Sequence, residues 1–204
     1  MTEEPLPGEP ADHRPGIVDP CFVDLYWIPV GAGTHFQRWS LLFYESVLAA
    51  VGRRSRRTLY HAALKVGLED GCRTIEVMPV PANQADVASL TGPVGIRGAD
   101  RFRMFRYQLL VHRGPLPDEE WAVASPLRVS DDCAVARRVL ELTPLVPNHT
   151  WGRKALGTQE MWTSDSAASW LLVRAGIDIV EIPIPTGGRA PGWAAGVIEA
   201  TQGR

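Results

Sequence analysis

Two strand-like runs separated by a short polar loop constrain this fold more than any other stretch. Residues 59–66 and 73–80 are mostly apolar or β-branched, and residues 68–71 (LEDG) lie between them and suit a hairpin loop. Strands joined by so short a loop pair antiparallel, because a parallel pair needs a long crossover. Hairpin pairing mixed with helices favours an α+β fold over a doubly wound parallel sheet.

The remaining chain supplies further strands and helices around this hairpin. Apolar and β-branched patterns predict strands at residues 21–30, 102–111 and 197–200, with a loop-rich stretch at 81–100. Helical spacing predicts helices at residues 35–51, from Ser130 onward, and at 164–175. We expect one α+β domain over residues 21–204, with a central, mostly antiparallel sheet packed on helices. The proline-rich residues 1–20 are expected to form a disordered leader.

Composition excludes several classes of protein. The net charge of −2 gives no global basic field, so we expect no nucleic-acid partner. No run approaches the roughly 18 apolar residues that a membrane span needs, and no signal peptide is recognisable, so a cytoplasmic location is expected. The cysteines Cys21, Cys72 and Cys133 form no closely spaced pair and are expected as reduced thiols. No motif indicates a cofactor, and the histidine spacing predicts no metal site.

Three polar residues stand in positions that suit nucleophilic catalysis. With the hairpin turn centred between residues 68 and 71, Ala63 lies opposite Glu76, so His61 and Glu76 are diagonal neighbours on one face. Ser164 opens the predicted helix, where backbone amides and the helix dipole stabilise a developing negative charge. A serine nucleophile needs a base, and a histidine oriented by a carboxylate is the usual one. A contact from His61 Nε2 to Ser164 Oγ is the geometry expected of such an enzyme.

The order of a strand histidine (YHAALKV), an IE pair in the next strand and a residue opening an apolar helix (MWTSDS) resembles one family. It is similar to the circularly permuted papain-like proteins, the relatives of NlpC/P60 peptidases and lecithin:retinol acyltransferase, and to an uncharacterised bacterial subgroup with serine at this position. The resemblance implies a papain-like fold, with His61 as base and Glu76 as the orienting residue. The family nucleophile is a cysteine, whereas this chain has Ser164, with Ser166 as the fallback.

The expected chemistry is hydrolysis or acyl transfer at an amide or ester of a small-molecule or peptide ligand, through Ser164, His61 and Glu76. Their neighbours Tyr60, Trp162 and Asp165 are expected to line the pocket. The alternative is a non-catalytic binding or interaction module that keeps the cleft. Ser164, Asp165 and Ser166 are all good helix caps, and capping alone accounts for them. The sequence gives no indication of oligomeric state.

Overall fold

The structure is a computed structural model that describes residues 21–31, 58–79, 88–155 and 157–202. Its strands in this part of the chain are β1 (Phe22–Pro29), β2 (Thr58–Leu68), β3 (Gly71–Pro79), β4 (Ala88–Pro93), β5 (Arg106–His112), β6 (Val123–Ser130) and the two-residue β7 (Gly188–Arg189). Its α-helices are α1 (Cys133–Leu142), α2 (Ser164–Arg174) and α3 (Trp193–Gln202). Both the expected leader at 1–20 and the expected helix at 35–51 lie outside the described residues.

The sheet is antiparallel in the order β4-β5-β3-β2-β1-β6, and only the short β7, which pairs with β2, runs parallel within the described part. The α+β class and the mostly antiparallel sheet are therefore confirmed. The hairpin of β2 and β3 has the predicted register, because Leu64 pairs with Ile75 and Leu68 with Gly71. Gly71 has a φ of 115°, a left-handed conformation that glycine adopts without steric cost, and it closes the turn.

The main core lies between one face of this sheet and the helices. Alternate residues of the central strands, such as Leu25 in β1 and Leu64 in β2, face Val139 of α1 and Leu171 of α2 in one continuous apolar cluster. A smaller cluster on the opposite face holds Ala63 beneath the connection between β5 and β6. Because both faces of β1 are covered, its residues from position 23 to position 28 are all buried. This explains why β1 is apolar at nearly every position rather than at alternate ones, with Asp24 as the exception that pairs with Arg128.

Three strands, β4, β6 and the two-residue β7, were missed by the sequence prediction, and two boundaries move. The loop-rich stretch at 81–100 contains the edge strand β4, and the polar segment that forms β6 was not predicted as a strand. The strand expected at 102–111 starts four residues later, because two 3₁₀ turns, Ala99–Arg101 and Arg103–Phe105, occupy its beginning. The helix expected from Ser130 starts at Cys133, because Asp132 caps it and Ser130 ends strand β6. β6 is a partly exposed edge strand with Pro126 in its middle, and a proline within a run weakens the strand signal.

The strand expected at residues 197–200 is wrong, because this stretch belongs to helix α3. Helix α3 packs closely on α2: a Cβ on Gly196 would lie 2.0 Å from the backbone oxygen of Ser166. Its N-terminus is held by Glu160, whose Oε2 accepts from the backbone amides of Gly192 and Ala194 at 3.1 and 3.2 Å. Four consecutive residues are too few to distinguish a buried helix segment from a strand.

The expectation of reduced cysteines is also corrected for two of the three. Cys21, just before β1, and Cys133, at the start of α1, form a disulfide across a sequence separation of 112 residues, while Cys72 is a free, exposed thiol. The disulfide ties the first strand to the first helix at one end of the core. Among the described helices, none combines the length and the apolar composition that crossing a bilayer requires.

Candidate active site

The N-cap of helix α2 lies one residue before Ser164, the first residue that the sequence suggested as a cap. Thr163 is the N-cap residue: its hydroxyl accepts from the Asp165 amide at 3.2 Å, and Ser166 Oγ accepts from the Thr163 amide at 3.0 Å. This reciprocal arrangement is a capping box. Since Thr163 and Ser166 cap the helix, the hydroxyl of Ser164 is not required for that purpose and points to other partners.

Ser164 and His61 contact each other directly. His61 Nδ1 of strand β2 lies 2.6 Å from Ser164 Oγ at the start of α2, across 103 residues of sequence. Both side chains are buried, with residue exposures of 7% for His61 and 5% for Ser164. The structure thus brings together the predicted base and the predicted nucleophile, but through Nδ1 and not through the expected Nε2.

Asp165 joins the two elements that carry this pair. Its Oδ1 accepts from the backbone amide of Ala62 at 2.7 Å and lies 3.4 Å from Ser164 Oγ. The pairs between β2 and β3 end at Leu64 and Ile75, so the carboxylate of the helix accepts an amide that the strand ladder no longer pairs. One side chain thereby fixes the residue after His61 to the residue after Ser164, and it sets how closely β2 and α2 approach.

Burial controls the charge of this cluster. It lowers the pKa of His61 from 6.5 to about 4, so the imidazole is neutral near pH 7 and one ring nitrogen has a lone pair. Burial also raises the pKa of Asp165 well above its usual 3.8, against the opposing effect of its hydrogen bonds with Ala62 and Ser164. Both shifts favour neutral forms, as expected for titratable groups removed from water together.

Glu76, the predicted orienting residue, contacts a histidine of β5, the strand that neighbours β3 in the sheet. Its Oε1 lies 2.9 Å from His112 Nε2 of β5, and the residue is 6% exposed. Glu76 also borders a small, mostly apolar cavity that Ser164 borders from the helix side. It is therefore close to the nucleophile, while its role in orienting His61 stays a prediction.

Ser166, the fallback nucleophile, is fully engaged in packing α2 against α3. Its hydroxyl donates to the Gly192 carbonyl at 2.7 Å while accepting from the Thr163 amide, and the residue is completely buried. A serine whose oxygen and proton both serve structural bonds is a poor candidate for attack on a substrate. The geometry favours Ser164 over Ser166.

The aromatic residues expected in the pocket are both buried against other parts of the fold. The ring of Tyr60 packs on Gly188, where an added Cβ would lie 2.0 Å from it. Trp162 packs edge-on against His149, with ring centroids 4.8 Å apart. These contacts account for their burial, and their role as pocket walls stays a prediction.

One cluster in the described part has side chains of the kind that bind metals. The sulfur atoms of Cys21 and Cys133 and a carboxylate oxygen of Glu69 lie within 4.8 Å of one another. Metals bind the thiolate form of cysteine, and the disulfide occupies both sulfurs.

No known family model, curated protein or solved structure matches this chain significantly. Function is therefore inferred from the geometry of the site, and the resemblance to permuted papain-like proteins stays a prediction.

Proposed function

We propose that this protein is a serine-dependent hydrolase or acyltransferase that acts on an amide or ester, with Ser164 as nucleophile and His61 as base. The observation that carries the proposal is the 2.6 Å contact between Ser164 Oγ and His61 Nδ1. A neutral imidazole is the form that accepts a proton, and a hydrogen-bonded serine and histidine are the minimal apparatus for attack on a carbonyl.

The reaction follows from the placement of these two groups. Ser164 Oγ attacks the carbonyl carbon while His61 Nδ1 takes its proton, and the carbonyl oxygen becomes an oxyanion near the N-terminus of α2. His61 then returns the proton to the leaving amine or alcohol as the acyl bond breaks. Water or an acceptor alcohol or amine next attacks the acyl-serine and gives its proton to His61. As the bond between Ser164 Oγ and the acyl carbon breaks, His61 returns this proton to Ser164 Oγ, and the acyl product leaves. Glu76 is proposed to orient His61 during these transfers.

The proposed function includes a fold that is more specific than the α+β class. We propose a papain-like arrangement, because the nucleophile opens a helix that packs against the strand carrying the base. As part of the same proposal, the substrate is a small molecule or a peptide.

The cellular location is a separate proposal. The sequence predicts the cytoplasm, whereas the Cys21–Cys133 disulfide is typical of oxidising compartments. Trapping free thiols with an alkylating reagent at lysis, followed by mass spectrometry, distinguishes the two. An oxidised pair in living cells would contradict the cytoplasmic location.

A serine-reactive fluorophosphonate probe tests the proposed chemistry. We expect labelling of the wild type, its loss in Ser164→Ala and His61→Ala, and its retention in Ser166→Ala. Ser169→Ala is the matched control, because Ser169 is a second buried serine of α2 and bonds only backbone oxygens in the described contacts. Circular dichroism on every variant separates loss of chemistry from loss of fold. Labelling that survives Ser164→Ala in a folded protein would refute the assignment.

The burial of the pair supports a second candidate, a non-catalytic binding or interaction module. Ser164 and His61 have exposures of only 5% and 7%, which leaves little of either side chain open to a substrate. In this alternative the contact between Ser164 and His61 is a structural hydrogen bond. Absence of labelling with both an aryl and an alkyl fluorophosphonate, in a protein that melts cooperatively, would favour it over the enzyme.

A further inference from the structure

We propose that the loop between β4 and β5, residues 95–105, docks this protein on the surface of bilayers rich in anionic phospholipid. This inference is independent of the Ser164 site. The loop combines outward-facing apolar side chains with a concentration of arginines.

The apolar part of the loop is unusually exposed. Ile96, Phe102 and Phe105 are 63%, 53% and 42% exposed, and they are three of the eight large apolar side chains exposed in the described part of the chain. On the surface of a soluble protein, large apolar residues are normally scattered singly, whereas several on one short loop indicate an interaction site. Ile96 lies in the bend before two 3₁₀ turns, and Phe102 and Phe105 flank or end the second of them, so all three lie within ten residues of one loop.

The charges of the loop complement an anionic surface. Arg97, Arg101 and Arg103 are exposed, and Asp100 is the single acid among residues 95–105, although the whole chain has a net charge of −2. The guanidinium of Arg101 lies 5.0 Å from the centre of the Phe102 ring, so a cation and an apolar group share one position on the surface. Arginine binds phosphate oxygens through two parallel hydrogen bonds, which suits lipid headgroups.

The loop is braced, so exposure of its apolar side chains is a feature of the folded state. Its ends are tied by the Val94 amide, which donates to the Phe105 carbonyl at 2.8 Å, and by the Gly95 amide, which donates to the Trp151 carbonyl at 2.9 Å. The guanidinium of Arg106 donates to the carbonyls of Asp100 and Arg101. A preformed loop loses little conformational entropy on binding.

A lipid surface fits this chemistry better than a nucleic acid does. Both partners present phosphates, and Phe102 and Phe105 are rings that can stack on bases, but Ile96, the most exposed apolar residue of the loop, is aliphatic and has no such use on a nucleic acid. Apolar side chains surrounded by arginines match the boundary between headgroups and acyl chains, where the apolar groups insert and the cations remain among phosphates. Residues 95–105 would therefore act as a shallow anchor rather than as a span.

The test is flotation of the full-length protein with phosphatidylcholine vesicles that contain or lack phosphatidylserine. We expect binding to the anionic vesicles that weakens with added salt and is at least tenfold weaker without phosphatidylserine. Arg97→Gln with Arg101→Gln should weaken it roughly 25-fold, at about fivefold for each arginine. Ile96→Ser should weaken it by about tenfold. Leu145→Ser is the matched control, since Leu145 is 64% exposed but lies outside the loop.

The outcomes separate lipid from other sources of phosphate. Absence of binding to anionic vesicles overturns the proposal, as does binding that is unchanged in the arginine or Ile96 variants. Binding to a single-stranded oligonucleotide in a gel-shift assay, without binding to vesicles, would assign the loop to nucleic acid instead. Circular dichroism confirms that each variant is folded, and the salt dependence of the wild type supplies a measurement that needs no variant.

Discussion

Replacing His61 with glutamine removes a buried titratable group while keeping a polar side chain of similar reach. In the folded protein burial lowers the pKa of His61 to about 4, against 6.5 for a solvated histidine. Above pH 6.5 both states hold a neutral imidazole, so His61 causes no dependence on pH. As pH falls below 6.5 the unfolded chain takes up a proton that the folded protein refuses, and stability is lost until pH reaches about 4.

The size of this loss follows from the two pKa values. At pH 5 the free energy of unfolding should have fallen by about 2 kcal/mol relative to pH 7.5, and below pH 4 by about 3 kcal/mol. His61→Gln should lack this contribution. The assay is urea denaturation of both proteins, followed by tryptophan fluorescence at intervals from pH 7.5 to pH 5. The difference between their unfolding free energies should shift by about 2 kcal/mol in favour of the variant.

Asp165 acts in the opposite direction and supplies the control. Its pKa is raised by burial, so its contribution to stability is full below pH 3.8 and is lost as pH rises through the folded-state value. Repeating the comparison in an Asp165→Asn background removes that contribution from both proteins. If the wild type and His61→Gln keep a constant difference from pH 7.5 to pH 5 in both backgrounds, the imidazole is not a buried neutral group, and its role as a neutral base loses its support.

Three further perturbations test the framework that holds the site. Replacing Cys21 and Cys133 together with alanine should lower the free energy of unfolding by about 2–5 kcal/mol, measured by urea denaturation, and dithiothreitol should have the same effect on the wild type. Gly196→Ala should cost about 1–3 kcal/mol, seen as a lower Tm, because its Cβ meets a carbonyl of α2. Asp165→Ala should cost about 1–3 kcal/mol and accelerate amide exchange at Ala62, whereas Asp165→Asn keeps an acceptor oxygen and should cost less.

Each of these expectations has an outcome that contradicts it. Equal stability of the double cysteine variant and the wild type without reductant would mean that the disulfide does not form in solution or does not stabilise the fold. An unchanged Tm in Gly196→Ala would mean that α2 and α3 are further apart than described. Equal amide exchange at Ala62 in the alanine and asparagine variants would show that Asp165 does not hold strand β2.

Local signals were sufficient for the elements whose neighbours in sequence are also neighbours in space. The hairpin of β2 and β3 was predictable because its loop length fixes an antiparallel pair and its apolar pattern fixes the register. Strand β1 and helices α1 and α2 were predictable from apolar runs and cap residues. Strand β6 was not, because Pro126 interrupts its short apolar pattern, and a proline within a run weakens the strand signal. The stretch at 197–200 was wrongly assigned to a strand. Its contact with α2, which buries part of it, cannot be recognised from any local pattern.

The candidate site likewise has a part that local sequence predicts and a part that it does not. Its predicted nucleophile and base were inferred from residue types at the start of a helix and inside a strand, and the structure places Ser164 and His61 in contact. The sequence did not reveal that Asp165 links β2 to α2, because an aspartate near a helix start is usually interpreted as a cap. Its partner, the amide of Ala62, is identifiable only once the end of the β2–β3 ladder is known. The disulfide was missed because 112 residues separate its cysteines.

The 103 residues between His61 and Ser164 make the site a property of the whole fold. Strands β3 to β6 lie between β2 and α2 in the sequence, so the contact closes a long loop, which costs conformational entropy. No fragment that ends before α2 or begins after β2 contains both groups. Reactivity at Ser164 would therefore report on completion of folding, and a chain cut in the β5–β6 connection would regain it only when its two halves reassemble.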